Sequence, residues 1–165
     1  MNQGVHGIDL ILWMLGGEID TLYGQAATLG RQIPVEDTAA AVLRMKKGAI
    51  CVIDGATTAY PGFSTTFAIH GELGSVAFND EGILEWKFIR EEDAPPRPDM
   101  GERVGGAKSA VDIGIYGHIC LLRDIACAVK EDRPPLIPPR NADLAVRAIC
   151  AVYESTRTGQ VISFA

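Results

Sequence analysis

The chain has 165 residues, 47% hydrophobic and 22% charged, with a formal net charge of -6. That length suffices for one domain with a core of its own. The acidic balance and the scattered Lys and Arg argue against nucleic acid and anionic membrane surfaces, and no apolar run reaches the roughly 20 residues that span a bilayer.

The first pattern is helical. At about 100° per residue, Asn2, His6, Asp9 and Trp13 fall on one stripe, and Val5, Ile8, Leu12 and Leu15 on another turned away from it. Two readings fit: an amphipathic core helix with one satisfied histidine, or a helix that offers an amide, an imidazole and a carboxylate to a cleft. Gly16-Gly17 supplies the left-handed stop.

Strand patterns follow. Residues 19–29 form the first, with Gly24 inside it, and 31–36 form a loop around Pro34. Residues 37–45 and 49–58 alternate around the turn Lys46-Lys47-Gly48, which predicts a hairpin. Both faces of 49–58 are apolar, Cys51 and Ile53 on one and Ile50 and Val52 on the other. A sheet covered on one side only should be polar on the other, so both sides are expected to be covered. Tyr60-Pro61-Gly62 breaks the pattern, and 63–70, 75–78 and 83–89 complete a meander through turns at 71–74 and 79–82.

Residues 90–108 are polar, rich in Pro and Gly and without period. A connection of that length reads either as a loop over a site or as a surface excursion. Residues 109–132 turn helical, with Ile115, Ile119, Leu122, Ala126 and Val129 as the apolar stripe. Residues 133–139 hold four prolines and read as an extended connector. Asn141 is the expected N-cap of a last helix, with Asp143 in its first turn. Leu144, Ala148, Ile149, Val152 and Tyr153 form its stripe, Arg157 and Gly159 end it, and 161–164 close the chain as a strand. Grouped strands between helices indicate α+β: a mostly antiparallel open-faced sheet with helices packed on one face. One domain over 1–165 is expected.

Chemistry is sparse. The sequence has no GxGxxG, GxxxxGK[ST], GxSxG or HExxH. Gly71-x-x-Gly74-Ser75 lies between strands, so it reads as a hairpin turn, not a phosphate loop. Cys51, Cys120, Cys127 and Cys150 show no CxxC spacing, and His118 with Cys120 points to different sides of a helix, so no metal is expected. Buried reduced thiols and the lack of a basic, apolar leader point to a cytoplasmic protein. His6 with Asp9 one turn later remains as a general base with its orienting carboxylate.

These residues carry a resemblance. Asn2-Gln3-Gly4-Val5-His6-Gly7-Ile8-Asp9-Leu10 resembles the histidine motif of the Gfo/Idh/MocA oxidoreductases, the glucose–fructose oxidoreductase and inositol dehydrogenase family. Ile69-His70-Gly71-Glu72-Leu73-Gly74-Ser75 resembles that family's hairpin, and Gly105-Gly106-Ala107-Lys108-Ser109 its Gly-rich loop. His118, Asp124 to Ala128, Arg133-Pro134-Pro135 and Tyr153-Glu154-Ser155-x-x-x-Gly159 are similar to its C-terminal signature. The four pieces come in the family's order and run over essentially the whole chain.

The resemblance implies the family's C-terminal half, a substrate-binding and oligomerisation domain without the N-terminal Rossmann domain. NAD or NADP would be bound mainly by that absent domain, and none is expected on this chain. His6 would be the base on a sugar, cyclitol or related polyol, with Asn2 and Asp9 beside it and Tyr60, Gly105 and Gly106 near the substrate. Many members carry Asp where this chain has Asn2. An amide can hydrogen-bond there but adds no charge to hold an imidazolium. The resemblance also implies a homodimer or tetramer through the open sheet face. The competing reading is a non-catalytic binding or assembly domain of the same fold.

Overall fold

The computed structural model describes residues 4–79, 81–98 and 116–165. Two compact units are present: Met1–Phe63 with Ile137–Ala165, and Ser64–Leu136.

The first unit begins with helix α1 (Val5–Met14). Gly16 and Gly17 follow at φ 83° and 75°, the left-handed backbone that glycine adopts without strain. Strands β1 (Ile19–Ala27), β2 (Thr38–Met45) and β3 (Ile50–Ala56) then form an antiparallel meander. Helix α3 (Pro139–Thr158) and the short strand β7 (Ile162–Ser163) complete the unit, in the sheet order β3-β2-β1-β7.

Alternation decides the faces. In β2, Ala39, Ala41, Leu43 and Met45 are buried while Ala40, Val42 and Arg44 are exposed. Register aligns Leu22, Leu43 and Cys51 across three strands on the inner side, where Ile8 and Leu12 of α1 and Ala145, Ala148, Ala151 and Val152 of α3 join them in one core. On the outer side the row is Tyr23, Val42 and Val52, with Ile50 nearby; Ile50 and Val52 are 74% and 72% exposed. The helices therefore cover one face, and within this unit the apolar outer face stays open.

Helix α3 lies very close to β1. A Cβ on Gly24 would stand 3.1 and 3.2 Å from the Val152 methyl groups and 3.3 Å from the Ala40 carbonyl oxygen. The helix also extends the hydrogen bonding along the β1 edge. Strand β7 pairs with β1 only at Thr21 and Leu22. Beyond it, the Gly24 N–H donates to Ser155 Oγ at 3.0 Å and the Ala26 N–H to Thr156 Oγ1 at 2.9 Å.

The second unit holds β4 (Phe67–His70), β5 (Gly74–Asn79), β6 (Gly82–Phe88) and helix α2 (Tyr116–Lys130). The strands make their own sheet, β4-β5-β6. Phe67 stacks on Phe78 at 5.1 Å, and Trp86 meets Phe88 at 5.5 Å. The β4–β5 turn needs glycine at 74, because a Cβ there would fall on the Lys87 carbonyl oxygen and the Phe88 backbone.

The α+β class, with antiparallel pairing throughout, stands as read. Four expectations are corrected. The strands form two sheets, since residues 57–66, with Tyr60-Pro61-Gly62, take no strand pairing. The first strand stops at Ala27, because the chain after it wraps a carboxylate. Helix α3 starts at Pro139 after an extended Pro138, so Asn141 falls inside its first turn; proline suits a first helical position, where no N–H is needed. Ile115 lies outside the described residues, and the rest of the expected α2 stripe is open, with Leu122 and Val129 65% and 80% exposed, while Ala128 is buried. The connector after α2 runs back along the Asp124–Ala128 side, where the Arg133 N–H donates to the Ala128 carbonyl and the Leu136 N–H to Asp124.

Candidate functional site

Helix α1 is held by Ile8 and Leu12, 3% and 1% exposed, with Val5, Ile11 and Leu15 packed beside them. The opposite stripe is turned outward: His6 is exposed, Asp9 half-buried, and Trp13 66% exposed. His6 lies in the first turn, after Gly4, which makes no side-chain cap. Asp9 follows three positions later, so their Cβ atoms are about 5–6 Å apart. Among the described residues no hydrogen bond joins the two. An open imidazole beside a carboxylate can accept a proton from a bound hydroxyl.

The other candidates are placed unevenly. Tyr60 is 93% exposed in the segment that follows β3. Among the described residues no hydrogen bond or ring contact ties it to His6 or Asp9. Asn2, Gly105 and Gly106 lie outside the described residues, as does most of the 90–108 loop. His70 pairs with Ser75 across the β4–β5 hairpin, Nδ1 to Oγ at 2.9 Å, which agrees with a structural role.

The Gly71–Gly74 turn does not fit a dinucleotide's phosphates. It joins two strands, and the Gly71 N–H is already donated to the Gly74 carbonyl at 2.8 Å; a phosphate cradle needs free amides opening a helix. Among the described residues no cluster of three His, Cys, Asp or Glu could hold a metal ion, and no helix is long and apolar enough to cross a membrane. Cys51, Cys120, Cys127 and Cys150 are all free thiols, but against the expectation of buried thiols Cys120 and Cys150 are exposed and Cys127 is half-buried; burial pushes the Cys51 thiol up.

Polar centres away from the α1 stripe do structural work, and Asp37 among them was announced by no sequence pattern. Asp37 is 2% exposed and accepts the N–H groups of Leu29 at 2.9 Å and of Gly30 and Arg31 at 2.8 Å, with the Thr38 hydroxyl at 3.0 Å. The Leu29 amide leads in lowering its pKa from 3.8 to about 2; burial opposes, and the Gly30 and Arg31 amides and Thr38 assist. Asp124 accepts the Leu136 N–H at 2.7 Å and the Arg133 guanidinium at 2.9 Å, and is held below the usual carboxylate range by the Leu136 amide first and Arg133 after it. Tyr153 donates its hydroxyl to Glu36 at 3.0 Å, at an open groove that Arg157 also lines. Burial pushes the Tyr153 phenol up.

Residues 1–77 match the family model described as the GFO/IDH/MocA C-terminal domain. Among solved structures, the chain is similar to the WlbA dehydrogenase from Bordetella pertussis in complex with NADH and UDP-GlcNAcA. The identity is 27% and the TM-score 0.77, covering 100% of this chain and 44% of that one. It is similar in fold to GenD2 from gentamicin A biosynthesis in complex with NAD (22% identity, TM-score 0.71, 99% and 47% covered). An oxidoreductase domain protein from Kribbella flavida gives 20% identity and a TM-score of 0.74, with 98% and 48% covered. The chain thus spans less than half the length of these structures. No curated protein matches the sequence.

Proposed function

We propose that this chain, whose residues 1–77 match the GFO/IDH/MocA C-terminal domain model, is the substrate-binding and subunit-pairing part of an NAD(P)-dependent oxidoreductase acting on a CH–OH group of a sugar, cyclitol or related polyol. One observation carries the reading: α1 buries Ile8 and Leu12 and leaves His6 open, with Asp9 half-buried one turn on. His6 takes the proton from the substrate hydroxyl, and the Asp9 carboxylate one turn on supports the imidazole electrostatically once it is charged. Removing that proton raises electron density on the oxygen and so favours loss of hydride from the same carbon. A nicotinamide, when bound, supplies the hydride acceptor. The nicotinamide is assigned mainly to the family's other domain, and this chain's share to the substrate and its proton. Asn2, Tyr60, Gly105 and Gly106 are assigned to the substrate side, and the free thiols suit the reducing cytoplasm.

In the protein that carries this chain, His6→Ala should lower kcat by roughly 10²- to 10⁴-fold, the worth of a positioned base. The melting temperature should hold, since His6 is outside the core. UDP-GlcNAcA heads the substrate panel because the 27%-identical structure holds it. Unchanged turnover in His6→Ala would leave a non-catalytic binding or assembly role instead.

Pairing is assigned to the outer face around Tyr23, Val42, Ile50 and Val52, where an open apolar patch favours self-association. Light scattering at micromolar concentration should find a dimer or tetramer, and Val52→Lys should shift it toward monomer. A monomeric wild-type protein would remove this part of the proposal.

A further inference from the structure

We draw no further inference here: the strongest candidate, the apolar outer face of the four-stranded sheet around Tyr23, Val42 and Val52, belongs to the pairing surface already proposed, and nothing in the structure shows what covers it.

Discussion

The two compact units are held by different forces. In the first, two helices and a sheet close over side chains such as Leu12, Leu22 and Leu43, each at 1% exposure or less. In the second, every residue of β5 is half-buried, and Ala128 is the one fully buried apolar side chain among the described residues. Its order rests on aromatic pairs and on the clamp between Asp124, midway along α2, and the connector that follows the helix. Burial in the first unit removes whole side chains from water, whereas clamps and half-open rings in the second gain less per residue.

Cutting a core side chain should give the largest effect. Leu43→Ala removes a 0%-exposed side chain and should cost about 2–5 kcal/mol in a denaturant melt. Leu84→Ala, on the half-open second sheet, should stay within about 0.5 kcal/mol. Equal losses at both positions would erase the contrast between the units.

Next comes the close approach of α3. Gly24→Ala pushes a methyl group against Val152 and should cost about 1–3 kcal/mol by overpacking. Adding Val152→Ala should recover part of that loss, because the two sites share one space. A Gly24→Ala protein as stable as wild type would mean that the helix yields freely.

Native-state hydrogen exchange offers a finer comparison. Amides of β1 and β2 should exchange only with global opening, while those of β4 to β6 should open at lower free energy. Uniform protection would show that the half-buried sheet is as cooperative as the core.

The smallest expected effect is on acid stability. The folded pKa of Asp37, at about 2, lies below its ordinary 3.8. Its contribution is therefore fully present above roughly pH 4 and fades as the pH falls toward about 2. Asp37→Asn should flatten stability against pH in that window, and an unchanged acid transition would show that the carboxylate is not stabilised by its amides.

Strand alternation and glycine punctuation were readable because each depends on near neighbours in sequence. The β2–β3 hairpin at Lys46-Lys47-Gly48, the stop at Gly16-Gly17 and the left-handed Gly159 all occur where the pattern put them. The outward stripe of α1 was readable for the same reason. Asp37 was not, since its ligands are backbone amides that a side-chain pattern does not encode. The side of α2 that is covered was also hidden. The helix carries apolar residues on two sides, and a fold-back set by Asp124, Arg133 and Leu136 decides between them.

The hydroxyls of Ser155 and Thr156 give α3 a second duty. By occupying the Gly24 and Ala26 N–H groups, the helix stands in for a missing strand and denies that edge to a foreign one. Undocking α3 would thus uncover apolar surface and two unmet peptide donors at once. A chain caught in that state would offer those donors to a foreign strand, so the docked α3 also guards the β1 edge.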